Sequence, residues 1–486
     1  MGTGLLDRSH DAKLQAIAWY VLGAGLLGLA LAFTLFSSRF SYDYAVEDMP
    51  ILWLVGGLML AGILYLALVW LIPATLRRGK GASLPLLAFV AAVGLAMRLL
   101  MFASEPVLED DYHRYLWDGA VTAHGLNPYV TSPETAMSAE PGSPVISELA
   151  RESGEVLGRI NHPHLRTIYP PVAQGAFALS YMASPWSLQG WRLFCLTGDI
   201  ATAALLLFLL LQIGRSPLWL ALYWWNPLIV KELLNTLHME ALLMPLVLAG
   251  LALAVTRRYL LSTLALVMAA GVKIWPAILL PLVWRPLVEK SGTLAVAAAM
   301  AAGFGALFAL PILWGGLDLS SGFVAYAQKW ENNSALFPQL EALARQLSAW
   351  AGNFDPRVIA RICVAGALLA LALWLARKPS ANKEDLIQSF MIVIGALVLL
   401  SPTQYPWYTV WILALMPLRP VLGILVLTAT MPLYYLGFYF LARGQHEFFK
   451  ETIVWFVWIP VWSLLAAEFA ARFWRRRRHL ADATAA

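Results

Sequence analysis

Three consecutive carboxylates, Glu109-Asp110-Asp111, follow directly on an apolar run in this chain, and Arg114 and Asp118 come three and seven residues after Asp111. On a helix those spacings put Asp111, Arg114 and Asp118 on one face. Aromatic residues lie between them, Tyr112, Tyr115 and Trp117. A carboxylate partly withdrawn from water has a raised pKa, which suits it to take the proton of a hydroxyl. The plainer reading is a solvated acidic loop with an arginine salt bridge. Against it, the stretch ends sharply in His124-Gly125-Leu126-Asn127-Pro128-Tyr129 and does not run on as a charged tail.

A base of this kind wants a cation opposite it. Lys273 sits inside an apolar run, where insertion costs about 2.5–3.5 kcal/mol. It reads equally as a functional charge and as a side chain snorkelling to an interface. Arg166, ahead of Tyr169-Pro170-Pro171, divides evenly between anion binding and interfacial anchoring. Lys329 and Arg443 read as solvated charges. One base and one cation are what group transfer from a sugar phosphate needs. Phosphate leaves as a stable anion without a proton, so the base serves the acceptor hydroxyl and the cation the leaving group. Glycoside hydrolysis, by contrast, needs two carboxylates.

His238 and Glu240 interrupt the apolar run 217–256, with Lys231 and Glu232 shortly before them. They form either a polar network between helices or the wall of a binding site, and the second reading is preferred. His162 and His164 lack a third ligand at defined spacing, so no metal site is expected from them. The acidic triplet could attract a hard cation, but neither a metal nor another cofactor is predicted. Gln404-Tyr405-Pro406-Trp407-Tyr408 reads as an interfacial aromatic belt with a helix-starting proline; its rings also suit packing against a sugar.

The elements that position these residues are membrane helices. Of 486 residues 60% are hydrophobic and 13% charged, against about half and a quarter in soluble domains; mean hydropathy is +0.67. Runs of about 20 apolar residues cross the bilayer, and only as helices. The runs 50–72, 293–313 and 357–376 carry no polar face. The stretch from Leu14 to Phe36 is too long for a signal peptide and is expected to be an uncleaved first span. The two cysteines, Cys195 and Cys363, read as buried hydrophobes. The net charge of +5 is modest and gathers at span ends, which excludes nucleic-acid binding.

Basic connectors orient the chain. Arg77-Arg78 with Lys80, Arg377 to Lys383 and the tail Arg475 to Arg478 mark the cytoplasmic side. Residues 104–168, which also hold Glu105, Glu134 and Glu140, then form a first outer segment, and 314–356 a second. Within the second, Tyr326 to Asn333 is polar enough to line an acceptor groove. Leu336, Leu340, Leu343 and Leu347 predict an amphipathic interfacial helix over 336–352. Both termini come out cytoplasmic. Between 169 and 290 the candidate spans cannot all cross unless the chain breaks near Gly271 and Pro276, a break tolerated where it lines a cavity. The expectation is one all-α polytopic domain of about 12–14 spans.

Asp110-Asp111-x-x-Arg114-Tyr115-x-x-Asp118-Gly119, followed by Gly125-x-Asn127-Pro128-Tyr129, resembles the first outer loop of the C-type glycosyltransferases. It is most similar to their bacterial branch of polyprenyl-phosphate-mannose-dependent mannosyltransferases. Ile168-Tyr169-Pro170-Pro171, Trp225-Asn226-Pro227-Leu228 with Glu232, His238-Met239-Glu240, Lys273-Ile274-Trp275-Pro276 and Ser401 to Tyr408 continue the likeness in order. The resemblance implies a helical membrane fold whose first outer loop carries the catalytic acid, a lipid-phosphate sugar donor, and inversion at the anomeric carbon. The base it implies is Asp111, but the third acid departs from the family pattern, so the role stays shared between Asp111 and Asp110. Glu109, Arg114, Tyr115, Asp118, Asn127, Tyr169, His238, Glu240, Lys273, Arg166, Gln404 and Tyr405 are the expected substrate-binding set. Arg114 is expected to orient the carboxylates.

The reading is therefore a glycosyltransferase of the cytoplasmic membrane, its site on the outer face. Its partners are a polyprenyl-phosphate sugar, by resemblance mannose, and a lipid, glycan or protein acceptor. The rival, a transporter or flippase, would carry ionisable residues deep in several spans, and few are present. A scaffold protein is a third reading.

Overall fold

The computed structural model describes residues 3–77, 83–138, 143–351, 355–378 and 380–485. Arg78, Lys80 and Glu140 lie outside the described residues, as do the side chains of Leu347, Arg476 and Arg478. The expected all-helical class is what the chain adopts: apart from one isolated bridge between Asn332 and Thr403, the regular structure among the described residues is helical.

Eight helices among the described residues are long and apolar enough to cross a membrane. They are Lys13–Phe40, Ile51–Leu76, Leu84–Ala103, Leu188–Gln212, Ser291–Gly315, Pro356–Leu375, Leu422–Ala442 and His446–Arg475. Pro227–Asn235 and Glu240–Val255, bent by 118° at their junction, make a ninth if taken as one span. The count is below the 12–14 expected because several apolar stretches are short or broken. Pro171–Ala183 has 13 residues, and the apolar stretch 405–418 is a 3-10 turn, one helical turn and irregular turns. Lys383–Leu400 is helical but begins with three charged residues.

The chain forms two compact units. The first comprises residues 1–105, 215–231 and 412–486. Within it, polar groups close on one another as lipid demands. Tyr65 Oη donates to the Leu222 carbonyl at 2.6 Å, and Asn226 Nδ2 to Thr428 Oγ1 at 2.9 Å. Arg98 is fully buried in its helix, donates to the carbonyls of Gly94 and Trp224, and lies over the Trp224 ring at 3.5 Å.

The second unit, residues 106–214 and 232–411, holds every residue of the expected site. The segment that carries the acids is folded, not a loop: the helices Asp111–Ala123, Pro133–Ala136, Pro144–Glu152 and Glu155–Gly158 succeed one another. Trp117, Ala120, Val121, Ile146, Leu149 and Leu157 bury a small core between them. Ser132 and Ser143 cap two of these helices, accepting from the amides of Thr135 and Ile146. The predicted break after Gly271 is present. The helix Tyr259–Ala270 ends, a 3-10 turn covers Trp275–Leu279, and the Gly271 carbonyl accepts from the amides of Val172 and Ala173. The helix predicted for 336–352 spans Phe337–Ala351.

One close approach fixes the helix that carries the acids. Asp111–Ala123 crosses Pro171–Ala183 at Gly119, where a Cβ would come within 2.5 Å of the Phe177 carbonyl oxygen. Backbone cannot yield as a side-chain tip does, so a methyl there must part the two helices. Gly119→Ala is expected to destabilise the protein by roughly 1–3 kcal/mol, read as a lower thermal midpoint in detergent. An unchanged midpoint would mean the crossing is slack.

Candidate active site

Asp111 opens its helix, with Asp110 in the N-cap position at φ −132° and ψ 3°, and Leu108 just before in a left-handed conformation at φ 57°. A carboxylate in a first turn lies at the positive end of the helix dipole. The next turns are sunk in protein: every residue from Tyr112 to Val121 is buried. The Asp111 side chain keeps 34% of its surface open, enough for a substrate to reach it.

Polar groups from three other segments bear on it. Tyr169 Oη donates to Asp111 Oδ2 at 3.2 Å. His238 Nδ1 lies 4.0 Å from the same oxygen. Lys273 acts on it through charge. Enclosure raises the Asp111 pKa, and Lys273, the Tyr169 hydroxyl, Arg114 and His162 oppose the rise without cancelling it. Asp110 is pushed up to about 7 by burial and by the neighbouring Asp111 charge. Of the two acids, Asp111 thus has the cationic and hydroxyl partners that favour its ionised form. His113 is driven down to about 4 by burial and by Arg159, so it is neutral at physiological pH.

Behind Asp111 the chain makes a π-turn at Lys231–Asn235 and a left-handed residue at Leu237, and so delivers His238 and Glu240. Both side chains are fully buried. His238 Nε2 lies 3.6 Å from Glu232 Oε2. Its ring stacks on Trp407 at 3.8 Å and 16°, and Trp407 stacks in turn on Tyr405 at 4.3 Å. Lys273, in the break after Ala270, is ion-paired to Glu240, which also accepts from Trp411 Nε1 at 3.2 Å. Its ammonium lies over the rings of Tyr408 and Trp411.

The structure brings together Asp110, Asp111, Tyr169, His238, Glu240, Lys273 and Tyr405. Glu109 is half-buried and, with Asp111, exerts its charge on Tyr405. Other members of the expected set have structural partners. Arg114 does not bond the carboxylates, as its spacing suggested; it donates to the carbonyls of His162 and Leu165 at 3.2 and 3.0 Å. Arg166 is tied to Asp318 and the Gly316 carbonyl, both at 2.9 Å. Asn127 bonds the Pro311 carbonyl, and Gln404 those of Val398 and Leu399. Asp118, buried, accepts from Gln174 at 3.2 Å, and burial raises its pKa against the opposing pull of Arg114. Tyr115 is a wall residue stacked on Phe177 at 4.6 Å.

Trp411 was not expected; its spacing of one helical turn from Trp407 was the available signal. Among the described residues, no group of three or more His, Cys, Asp and Glu side chains could hold a metal ion. A carboxylate open to solvent, held by a hydroxyl and under the charge of a half-buried lysine, can deprotonate an alcohol beside a departing anion.

Residues 16–289 match the model of a family described as alpha-(1->6)-mannopyranosyltransferase, N-terminal domain. The chain is 27% identical over 440 residues to alpha-(1->6)-mannopyranosyltransferase A of Mycobacterium tuberculosis, covering 85% of this chain and 76% of that protein. It is 21% identical over 398 residues to alpha-(1->6)-mannopyranosyltransferase A of Corynebacterium glutamicum, covering 75% and 77%. No solved structure matches it. The family model spans more than half of the sequence, and the chain is a multi-pass membrane glycosyltransferase that belongs to the alpha-(1->6)-mannopyranosyltransferase family.

Proposed function

We propose that the protein moves mannose from a polyprenyl-phosphate donor to the 6-hydroxyl of a mannose in a glycan acceptor, with Asp111 as the base. The relatives' names supply the sugar, the position and the α linkage. Reaction by inversion then requires a β-linked donor.

In this mechanism the acceptor hydroxyl gives its proton to Asp111 and its oxygen bonds to the anomeric carbon. The bond from that carbon to the phosphate oxygen breaks on the opposite face. Polyprenyl phosphate leaves with the electron pair, and Lys273 offsets the charge growing on it. Asp110, pushed up to about 7, lacks the Tyr169 hydrogen bond and the Lys273 charge that act on Asp111, and on that ground Asp111 is preferred as the base. The observation that carries the reading is this grouping of Asp111, Tyr169 and Lys273.

A second observation favours a lipid donor. A cleft of about 860 Å³ is lined by Pro171, Val172, Leu307, Phe308, Leu310, Pro311, Leu313 and Trp314. Every lining residue is apolar, and it begins two residues from the tyrosine that bonds Asp111. Leu307, Leu310, Leu313 and Trp314 are exposed on the Ser291–Gly315 helix, as a surface facing isoprenoid or acyl chains would be. In the proposed topology both termini are cytoplasmic. The segment 104–168 forms the catalytic outer region and 314–356 a second outer segment toward the acceptor.

Asp111→Asn is expected to remove mannosyl transfer from polyprenyl-phosphate mannose by at least about 100-fold, with donor turnover read as released polyprenyl phosphate. Asp110→Asn keeps the activity. Activity retained in Asp111→Asn and lost in Asp110→Asn would move the base by one position; activity in both would remove it from this segment.

The raised Asp110 pKa has its own signature. The folded protein holds this proton more tightly than the unfolded chain, so the linked stability is present below about pH 4 and lost as pH rises to about 7. Asp110→Asn is therefore expected to melt higher than the parent at pH 8 and to lose that advantage by pH 4.

Topology is checked with a cysteine at Val130, half exposed in the first outer segment, in a Cys363→Ala background, since Cys363 is exposed. A membrane-impermeant maleimide added to intact cells should label it. Labelling only after the membrane is opened would put the site on the cytosolic side and end this reading.

A further inference from the structure

We infer that His162 and Trp330 form the subsite that holds the acceptor's terminal mannose beside Asp111, the sugar ring against the indole and a hydroxyl on the imidazole. The inference deepens the function proposed above and rests on Asp111 being the base.

In-line displacement with inversion sets the two substrates on opposite sides of the reacting carbon. The leaving phosphate takes the Lys273 side, where the ammonium lies over the rings of Tyr408 and Trp411. The acceptor takes the side on which Asp111 is open. The inner side of that carboxylate is occupied by Tyr169 and by the fully buried His238, so its open part meets groups that still have exposed surface. These come from three stretches of the second unit. Asn161 and His162 are exposed; the Asn161 side chain donates to Asp110, and His162 is close enough to act on Asp111 through charge. Trp330 and Asn332 are half-buried, as is Tyr405, whose hydroxyl is bonded by the Asn332 side chain.

The backbone is braced to present the pair. His162 is in a left-handed conformation at φ 51°, a cost that persists only where the surrounding structure imposes it. Its carbonyl accepts from Arg114 Nη2 at 3.2 Å and from the Leu165 amide at 3.0 Å. Arg114 lies on the Asp111 helix, so one helix carries the base and holds the turn beside it. The His162 ring meets Trp330 edge to face, with centroids 4.8 Å apart and planes at 68°. The Trp330 carbonyl accepts from Arg361 Nη2 at 2.6 Å and from Thr403 Oγ1 at 3.1 Å. Two backbone hydrogen bonds pin Asn332 to Pro402 and Gln404.

A hexose has an apolar face of C–H groups and a rim of hydroxyls. An indole ringed by imidazole, amide and carboxylate groups matches both, the aromatic surface giving contact area and the few polar groups orientation. An isoprenoid chain would desolvate those polar groups without bonding them. A phosphate would meet the acids Glu109, Asp110 and Asp111.

The experiment uses full-length protein in detergent with polyprenyl-phosphate mannose and octyl α-mannoside as acceptor, each varied at saturation of the other. Gel filtration and thermal midpoint confirm the fold of each variant. Glycine takes a left-handed φ without strain, so His162→Gly removes the imidazole and keeps the turn. It is expected to raise the acceptor KM about fivefold. Trp330→Ala should raise it about tenfold, and in both variants the donor KM stays within about twofold of the parent value. A pair that only packed the two segments together would not separate the two constants. A parental acceptor KM in either folded variant overturns the subsite. So does a raised donor KM with the acceptor KM unchanged, which would give the pair to the donor sugar, and so does a fall in kcat alone. Should Trp330→Ala fail to fold, His162→Gly decides: a parental acceptor KM there overturns the subsite as well. A parent protein that turns over no polyprenyl-phosphate mannose overturns the function proposed above and the subsite with it, whereas an active parent with unimpaired variants overturns the subsite alone.

Discussion

The hydrogen bond from Tyr169 to Asp111 ties two pieces of chain that the sequence keeps nearly sixty residues apart, and much of the second unit exists to hold it. Tyr169 can reach the carboxylate only because its own carbonyl is gripped by Tyr129 Oη at 2.7 Å and by Gln174 at 3.2 Å. Asp111 can wait there only because its helix crosses Pro171–Ala183 at the contact distance that Gly119 allows. A carboxylate enclosed by protein must keep its charge without a full shell of water. Desolvation works against that charge, and the hydroxyl, the nearby lysine and Arg114 work for it.

The same constraint explains why the functional side chains sit where helices fail. An unbroken membrane helix satisfies its backbone and presents side chains at fixed spacing, which leaves no room to aim two polar groups at one point. Here the chain breaks between Asn235 and Glu240 and again after Ala270. The first break delivers His238 and the second Lys273. Backbone groups freed at the second are taken up at once, since the Gly271 carbonyl receives the amides that open the helix after Tyr169. One irregularity therefore both frees the lysine and anchors the tyrosine's helix.

Much of this was legible in the sequence, and the boundary of what was legible has a physical cause. The acid run, the break near Gly271, and the polar residues 238, 240 and 273 stand out because charge is costly in an apolar setting. What could not be read is which partner each polar residue takes. Arg114, Arg166, Asn127 and Gln404 all bond backbone carbonyls, of His162 and Leu165, Gly316, Pro311, and Val398 and Leu399. A carbonyl is present at every position and leaves no mark in the sequence, so residues that brace the site look like residues that bind substrate. Fewer long apolar helices stand among the described residues than the spans expected, for a related reason: apolar length is visible, but the turns that cut 405–418 and 217–233 into short pieces lie at Pro406, Pro217 and Pro227.

Lys273 and Glu240 pose a sharper question, since a cation already neutralised by a carboxylate is a weaker partner for phosphate. The geometry answers it in part. Glu240 is fully buried and held by Trp411, while the Lys273 side chain keeps 16% of its surface. The carboxylate is thus the inward pole of a fixed dipole and the ammonium its outward one. Two aromatic faces confine the ammonium further. Lysine otherwise carries about 2 kcal/mol of rotamer entropy, which a free side chain would lose on meeting an anion. Here that loss is taken in folding, so in the proposed reaction charge developing on the leaving group would meet a cation already in position, the condition under which electrostatic stabilisation acts on the transition state without reorganisation.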